Sequence, residues 1–119
     1  TFAHAYEATL GYSKKLNHGE AVLLGITSAL KFSHKNKILN DKEYYLIAKH
    51  IKSSSLPYNL SSYFSLKHLD KILSFMSKDK KNNSEKISLV LLRKIGQPIF
   101  DRNYCKSDLK LFLKNQLTN

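Results

Sequence analysis

The sequence lacks several features on which whole classes of protein depend. Its 119 residues contain a single cysteine, Cys105, which excludes an internal disulfide framework and a cysteine-rich zinc site. No apolar run approaches the roughly 20 residues that span a bilayer, and the start of the chain shows no signal-peptide pattern. These absences favour a cytoplasmic protein in a reducing compartment, without a membrane partner.

Motifs of several common enzyme classes are missing as well. The sequence has no glycine-rich phosphate loop and no G-x-S-x-G element, and Cys105 has no convincing base nearby. Acidic residues are scarce: 9 stand against 20 Lys and Arg, a net charge of +11. Such a balance can indicate nucleic acid, a membrane surface or small anionic ligands. Because the lysines are spread over every segment, we interpret most of this charge as a solvated surface.

Hydrophobic spacing predicts one mostly α-helical domain over residues 1–119. Helices are predicted at residues 1–10, at about 18–37, and after the capping residues Asn40, Ser65 and Ser107. Gly11 is expected to end the first helix, and the serine run 53–55 with Leu56-Pro57 the third. The polar stretch 78–86 is expected to be a loop, followed by a small β-hairpin near 87–101 with a turn at Ile95-Gly96.

Each predicted helix has an apolar face that indicates its buried side. Residues 21–32 are apolar on most sides, which predicts a buried central helix. In the other helices the apolar positions recur at i, i+3 and i+4. They are Tyr44, Ile47, Ala48 and Ile51 in the third helix, Leu66, Leu69, Ile72, Leu73 and Met76 in the fourth, and Leu109, Phe112 and Leu113 in the last.

Two histidines have contexts that suit chemistry. His4 shares a helix face with Glu7, and His18 opens a His-Gly-Glu sequence just before the central helix. A neutral imidazole there can bind a metal, with an acidic neighbour setting its tautomer. On spacing alone, ordinary helical roles are the simpler interpretation, because a catalytic zinc normally has three protein ligands. The remaining histidines are expected to be exposed and without a role: His34, His50 and His68.

The lysine-rich loop at 78–83 is a second candidate, since clustered ammonium groups can bind a carboxylate or phosphate. From composition alone, a solvated polar loop is the simpler interpretation.

Together these segments resemble one family, the C-terminal helical, metal-binding domain of 3-dehydroquinate synthase, a sugar phosphate cyclase. The family signature is G-H-T-x-G-H-A-x-E followed by H-G-E-A-V; here T-F-A-H-A-Y-E starts at Thr1 and H-G-E-A-V at His18. Ala3 stands where the family has glycine. An Asp-Lys-Lys sequence at 79–81, the apolar run 87–92 and the Ile-Gly turn follow in the family's order, and the resemblance covers nearly the whole chain.

The resemblance implies roles for particular residues. His18 is implied as a ligand of a catalytic zinc (or cobalt) ion, and His4 as a catalytic residue that binds substrate near its phosphate. Lys80 or Lys81 is implied to bind the substrate carboxylate. The first histidine of the signature, a carboxylate ligand and the NAD-binding domain are expected upstream of Thr1. The chain is thus expected to be part of a larger, commonly dimeric enzyme and to be inactive alone.

The implied reaction converts 3-deoxy-arabino-heptulosonate 7-phosphate to 3-dehydroquinate and phosphate, in the shikimate pathway to aromatic amino acids. Alternatives are another sugar phosphate cyclase, such as a 2-deoxy-scyllo-inosose synthase, and a related metal-dependent alcohol dehydrogenase. The paired lysines favour the dehydroquinate enzyme, because the substrate of the inosose synthase has no carboxylate. An alternative of a different class is a small basic nucleic-acid-binding module, which would need its cationic residues concentrated on one surface.

Overall fold

A computed structural model describes residues 1–78 and 86–118 of the chain. This part forms five α-helices and one two-stranded antiparallel sheet, so the predicted mostly α fold with a small hairpin is confirmed. No helix in the described part is both long and apolar enough to cross a membrane. The elements are α1 (Phe2–Thr9), α2 (His18–Lys35), α3 (Asp41–Ser53), α4 (Leu69–Lys78), β1 (Lys86–Lys94), β2 (Gln97–Cys105) and α5 (Lys106–Thr118).

Side-chain caps start the second and third helices where the sequence predicts them. The Asn17 side chain accepts a hydrogen bond from the Glu20 N–H at 2.8 Å, and Glu20 Oε1 accepts one from the Asn17 N–H at 2.9 Å. This reciprocal pair satisfies two helix-end donors of α2. The Asn40 side chain caps α3 by accepting one hydrogen bond, from the Glu43 N–H at 2.8 Å. Both starts are therefore determined by residues three positions apart.

Aromatic rings fill the centre of the core between α1, α2 and α5. Phe32 meets Phe112 edge to face, with 5.0 Å between ring centroids. Tyr6 is fully buried, and its hydroxyl lies 2.6 Å from Ser28 Oγ, so the phenol keeps a polar partner. Burial raises the pKa of Tyr6 far above its ordinary value. The inward positions predicted for α4 and α5 are buried, with one exception, Leu66.

Several predictions about burial and boundaries were wrong. Leu66 is exposed because it belongs to a 3₁₀ turn, Leu66–His68, that precedes α4. Helix α2 is largely buried, as predicted, but Val22 and Ile26 form an exposed apolar face that was not predicted, with Ile26 53% exposed. Helix α5 begins at Lys106, so Ser107 lies inside its first turn and does not precede it.

Helix α3 presents the predicted face to the domain but is less buried than expected. Tyr44, Ile47, Ala48 and Ile51 are all half-buried, and none of the residues of α3 is fully buried. The helix lies at the surface of the domain, so the other elements cover its apolar face only in part. A periodic pattern indicates which face turns inward, but not how much of that face is covered.

The hairpin is tied to two helices by side-chain hydrogen bonds. A two-residue turn, Ile95-Gly96, joins its strands, and Gly96 has a φ of 79° that favours glycine. The N–H of Ile95 donates to Glu43 of α3 at 2.9 Å. The N–H of Leu92 donates to Ser33 Oγ of α2 at 3.0 Å. These bonds fix the hairpin against the helical layer.

A close crossing between α1 and α2 depends on Gly25. A Cβ added at Gly25 would lie 2.9 Å from both the Cβ and the backbone N of Ala3, and 3.1 Å from its Cα. Two of these atoms are backbone, so a side chain at position 25 would push the helices apart. Ala3 is accommodated where the family has glycine because the facing position has no side chain.

We expect Gly25→Ala to destabilise the chain by about 1–3 kcal/mol, because overpacking outweighs the gain in helix propensity. Gly19→Ala is the matched control: its Cβ would meet only Asn17 Oδ1, at 3.5 Å, and stability should change by less than about 1 kcal/mol. Urea unfolding of both variants measures the difference. Equal stability of the two variants would contradict the role assigned to the crossing.

His68 has a structural role that the sequence did not predict. Its Nδ1 accepts a hydrogen bond from the Ser65 N–H at 3.0 Å, and its ring meets Phe64 edge to face. Burial, and next the positive charge of Lys67, lower the pKa of His68, and the nearby Lys71 and Lys15 act in the same direction. The folded chain therefore binds a proton here less readily than the unfolded chain.

This lowered pKa predicts a pH dependence of folding. The stabilisation by His68 is complete above the ordinary histidine pKa near 6.5, and it is lost as pH falls through the lowered value. His68→Gln retains an acceptor for the Ser65 N–H but cannot titrate, so its free energy of unfolding should decline less between about pH 7.5 and 5. Urea unfolding over this range, with the exposed His50→Gln as control, tests it; identical slopes for all three proteins would refute it.

Candidate functional site

At one end of the domain, a carboxylate of the first helix contacts a histidine of the second. Glu7 lies in the last turn of α1, and His18 is the first residue of α2. His18 Nδ1 lies 3.2 and 3.1 Å from the two carboxylate oxygens of Glu7. The turn between the helices, in which Gly11 and Tyr12 both have positive φ, reverses the chain and makes this contact across 11 residues.

The Glu7 contact determines which nitrogen of His18 has a lone pair that could bind a metal ion. An ionised carboxylate only accepts hydrogen bonds, so the proton of a neutral His18 resides on Nδ1 and the lone pair on Nε2. The His18 side chain is 78% exposed, whereas that of Glu7 is 16% exposed. The carboxylate is thus shielded behind an imidazole that remains accessible. This arrangement matches the way in which proteins orient metal-binding histidines.

His4 occupies the same end of the domain, one helical turn before Glu7. Its Nε2 lies 3.1 Å from the hydroxyl of Tyr12, and the two rings are tilted at 46°. Sequence spacing predicted that His4 and Glu7 share a face of α1. In the structure the Glu7 carboxylate contacts His18, and the Tyr12 hydroxyl contacts His4.

Glu20 has two structural roles. Besides capping α2, its Oε2 accepts a hydrogen bond from the Tyr63 hydroxyl at 3.1 Å. Burial, followed by this hydrogen bond to a negative group, raises the pKa of Tyr63. Both carboxylate oxygens of Glu20 are therefore engaged, and His18 is oriented by Glu7 rather than by its neighbour in the His-Gly-Glu sequence.

The two predicted lysines and the histidines that were predicted to have no role are placed as follows. Lys80 and Lys81 lie outside the described residues. His50 is exposed, as expected. His34 is not without contacts: it stacks on Tyr44 with 4.0 Å between ring centroids and bonds Asp41 at 2.7 Å. The residues that sequence reasoning missed at the site are Glu7, as the partner of His18, and Tyr12. For Glu7 a signal was present, because the quoted signature ends in glutamate.

The residues at this end of the domain fit only part of a zinc site. His18 offers one imidazole nitrogen of the right tautomer, with Glu7 behind it. Within residues 1–78 and 86–118, no group of three or more His, Cys, Asp or Glu could hold a metal. This part of the chain thus fits one coordination position of a metal and an outer-shell carboxylate, but not a complete site.

Comparison with known proteins identifies the family of this chain. The family described as "3-dehydroquinate synthase C-terminal" matches residues 1–82, more than half of the chain. The chain belongs to this family.

Its relatives carry the name of one enzyme. The 3-dehydroquinate synthase of Pelagibacter ubique is 56% identical over 118 residues, which is 99% of this chain and 32% of the relative. That of Coxiella burnetii is 36% identical over 97% of the chain and 31% of the relative. That of Bradyrhizobium diazoefficiens is 31% identical over 98% of the chain and 32% of the relative. The chain thus spans about a third of the length of the curated relatives it matches.

We expect Glu7→Ala to remove the tautomer preference of His18, because the carboxylate that holds the proton on Nδ1 is lost. Nitrogen NMR of the neutral imidazole should show a predominant Nδ1–H form in the parent chain and a mixed population in the variant. Asp70→Asn is the control, since Asp70 is exposed and pairs only loosely with Lys110, at 3.6 Å. The same tautomer ratio in Glu7→Ala and in the parent would show that Glu7 does not orient His18.

Proposed function

We propose that this chain forms the metal-binding, C-terminal part of a 3-dehydroquinate synthase. The reaction would convert 3-deoxy-arabino-heptulosonate 7-phosphate to 3-dehydroquinate and phosphate, within the shikimate pathway in the cytoplasm. The observation that carries the proposal is the Glu7–His18 pair, at 3.1 Å, in a chain that belongs to this family.

His18 would donate its Nε2 to the metal. Hydrogen bonding of Nδ1–H to Glu7 makes the imidazole a stronger donor and restricts its rotation. When bound, zinc supplies Lewis-acid polarisation of a substrate hydroxyl, and NAD supplies a reversible hydride acceptor. The remaining metal ligands and most of the NAD site would come from the part of a full-length enzyme outside this chain. For that reason we expect the isolated chain to be inactive.

His4 would contribute a hydrogen bond near the substrate phosphate. It lies on the same helix as Glu7, and the hydroxyl of Tyr12, 3.1 Å from Nε2, can orient its ring. A histidine held in this way can donate to a phosphate oxygen without reorganising as charge develops on the leaving group. Lys80 or Lys81 would bind the substrate carboxylate as a point charge. A homodimer of the full-length enzyme belongs to the same proposal.

The decisive test is His18→Ala in the full-length protein, measured as bound zinc and as substrate-dependent phosphate release. Both should collapse, with phosphate release lower by about a hundredfold or more, because a catalytic zinc with one of three protein ligands missing is poorly held. His50→Ala is the matched control, because His50 is exposed on α3, and it should retain both properties. Retention of zinc and turnover by a folded His18→Ala protein would refute the metal role. The isolated chain, assayed in parallel, should release no phosphate.

A further inference from the structure

A polar cavity of about 320 Å³ lies at the other end of α2, away from His18. The last turns of α2, the first turn of α3, the segment 59–61 and the C-terminal half of α5 enclose it. Its walls include two lysines, a histidine, two aromatic rings and two amides. These are Lys31, Lys35, His34, Tyr44, Phe112, Asn59 and Gln116.

The charges of this cavity are unbalanced. None of the residues that line it is acidic. Lys31 is half-buried, and its Nζ donates to Gln116 Oε1 at 3.2 Å, which is a neutral acceptor. Burial lowers the pKa of Lys31, as is expected of an ammonium group taken from water without a counter-charge. An oxyanion beside Lys31 would supply the missing charge and a charge-assisted hydrogen bond.

The walls are held in place before any ligand binds. The ring of His34 lies parallel to that of Tyr44, and its Nε2 is 2.7 Å from Asp41 Oδ1. Asp41 is 85% exposed and is outside the cavity wall, so it orients His34 from the solvent side. Lys35 Nζ lies 5.8 Å from the centroid of the Phe112 ring. A rigid site loses less entropy on binding than a mobile one.

We propose that this cavity, formed by Lys31, Lys35, His34 and Gln116, is a binding site for a small ligand with a phosphate or carboxylate group. A second cavity of about 210 Å³ shares Lys31 and Tyr44 and is lined by Leu30, Ala48 and Ile51 among others. It provides room for an apolar part of the same ligand. The site does not depend on the proposed enzyme function.

This site lies far from the proposed metal position, at the opposite end of α2. His18 and Lys31 are 13 residues apart on one helix, which corresponds to about 20 Å at 1.5 Å per residue. A substrate held at His18 therefore does not extend to Lys31. Cations near a helix C-terminus also stabilise the helix dipole. That effect accounts for Lys35, but it does not require Lys31 to be half-buried against a neutral amide.

The test measures binding of inorganic phosphate, and separately of benzoate, to the full-length protein by calorimetry. Lys31→Met retains the aliphatic part of the side chain and should weaken the site by about tenfold or more, the range for a hydrogen bond to a charged group. Lys49→Met is the matched control. It removes one positive charge at an exposed position on α3, and it should leave the affinity for either anion unchanged. Only the binding that Lys31→Met removes is assigned to this cavity, because the proposed catalytic site also binds phosphate and carboxylate. If that part is tighter for phosphate, the natural ligand carries a phosphate; if it is tighter for benzoate, the ligand carries a carboxylate.

A second variant keeps the proposal testable if Lys31→Met fails to fold. Gln116→Glu places a carboxylate opposite Lys31, so it should stabilise the fold and abolish anion binding at this cavity. Acetylation followed by mass spectrometry provides a residue-level readout, in which phosphate or benzoate should protect Lys31 but not Lys49. The proposal is overturned if neither anion protects Lys31, or if Lys49→Met weakens binding as much as Lys31→Met.

Discussion

The close approach of α1 to α2 at Ala3 and Gly25 is the contact on which the candidate site depends. Because Gly25 has no side chain, the backbone of α1 can lie within about 3 Å of the position that a Cβ would occupy. Packing of the two helices at this distance places the last turn of α1 beside the first turn of α2. Glu7 can then reach His18 at 3.1 Å. A larger distance between α1 and α2 would separate Glu7 from His18 even if both helices kept their structure.

Helix α2 connects the two polar ends of the domain. At its N-terminus the Asn17–Glu20 cap and the Glu7–His18 pair bring two carboxylates to the positive end of the helix dipole. At its C-terminus the ammonium groups of Lys31 and Lys35 lie beside a cavity that His34 also lines. Between these ends, buried residues such as Leu24 and Phe32 belong to the core. One helix therefore links a carboxylate–histidine pair to a cationic pocket through a rigid apolar segment.

The outcome for individual elements shows how far sequence reasoning extends. The helix starts after Asn17 and Asn40, the stop at Gly11 and the turn at Ile95-Gly96 were all predicted, and the resemblance that rested on two short signatures is confirmed by the family match. The exposed face at Val22 and Ile26 and the partial burial of α3 were not predicted, because periodicity does not indicate how many elements cover a face. His34 and His68 were predicted to have no role, but His34 contacts Asp41 of the next helix and His68 caps its own 3₁₀ turn at Ser65.

The sequence by itself determined the local structure and the family. Caps, glycine turns and apolar periodicity act over three or four residues, where hydrogen bonds and backbone sterics depend on near neighbours alone. Only the tertiary structure decided which side chains meet. Glu7 and His18 are 11 residues apart, and Lys31 and Gln116 are 85 apart. Such pairs depend on the angle and distance at which helices pack, and these are set by the volumes of side chains from several elements at once.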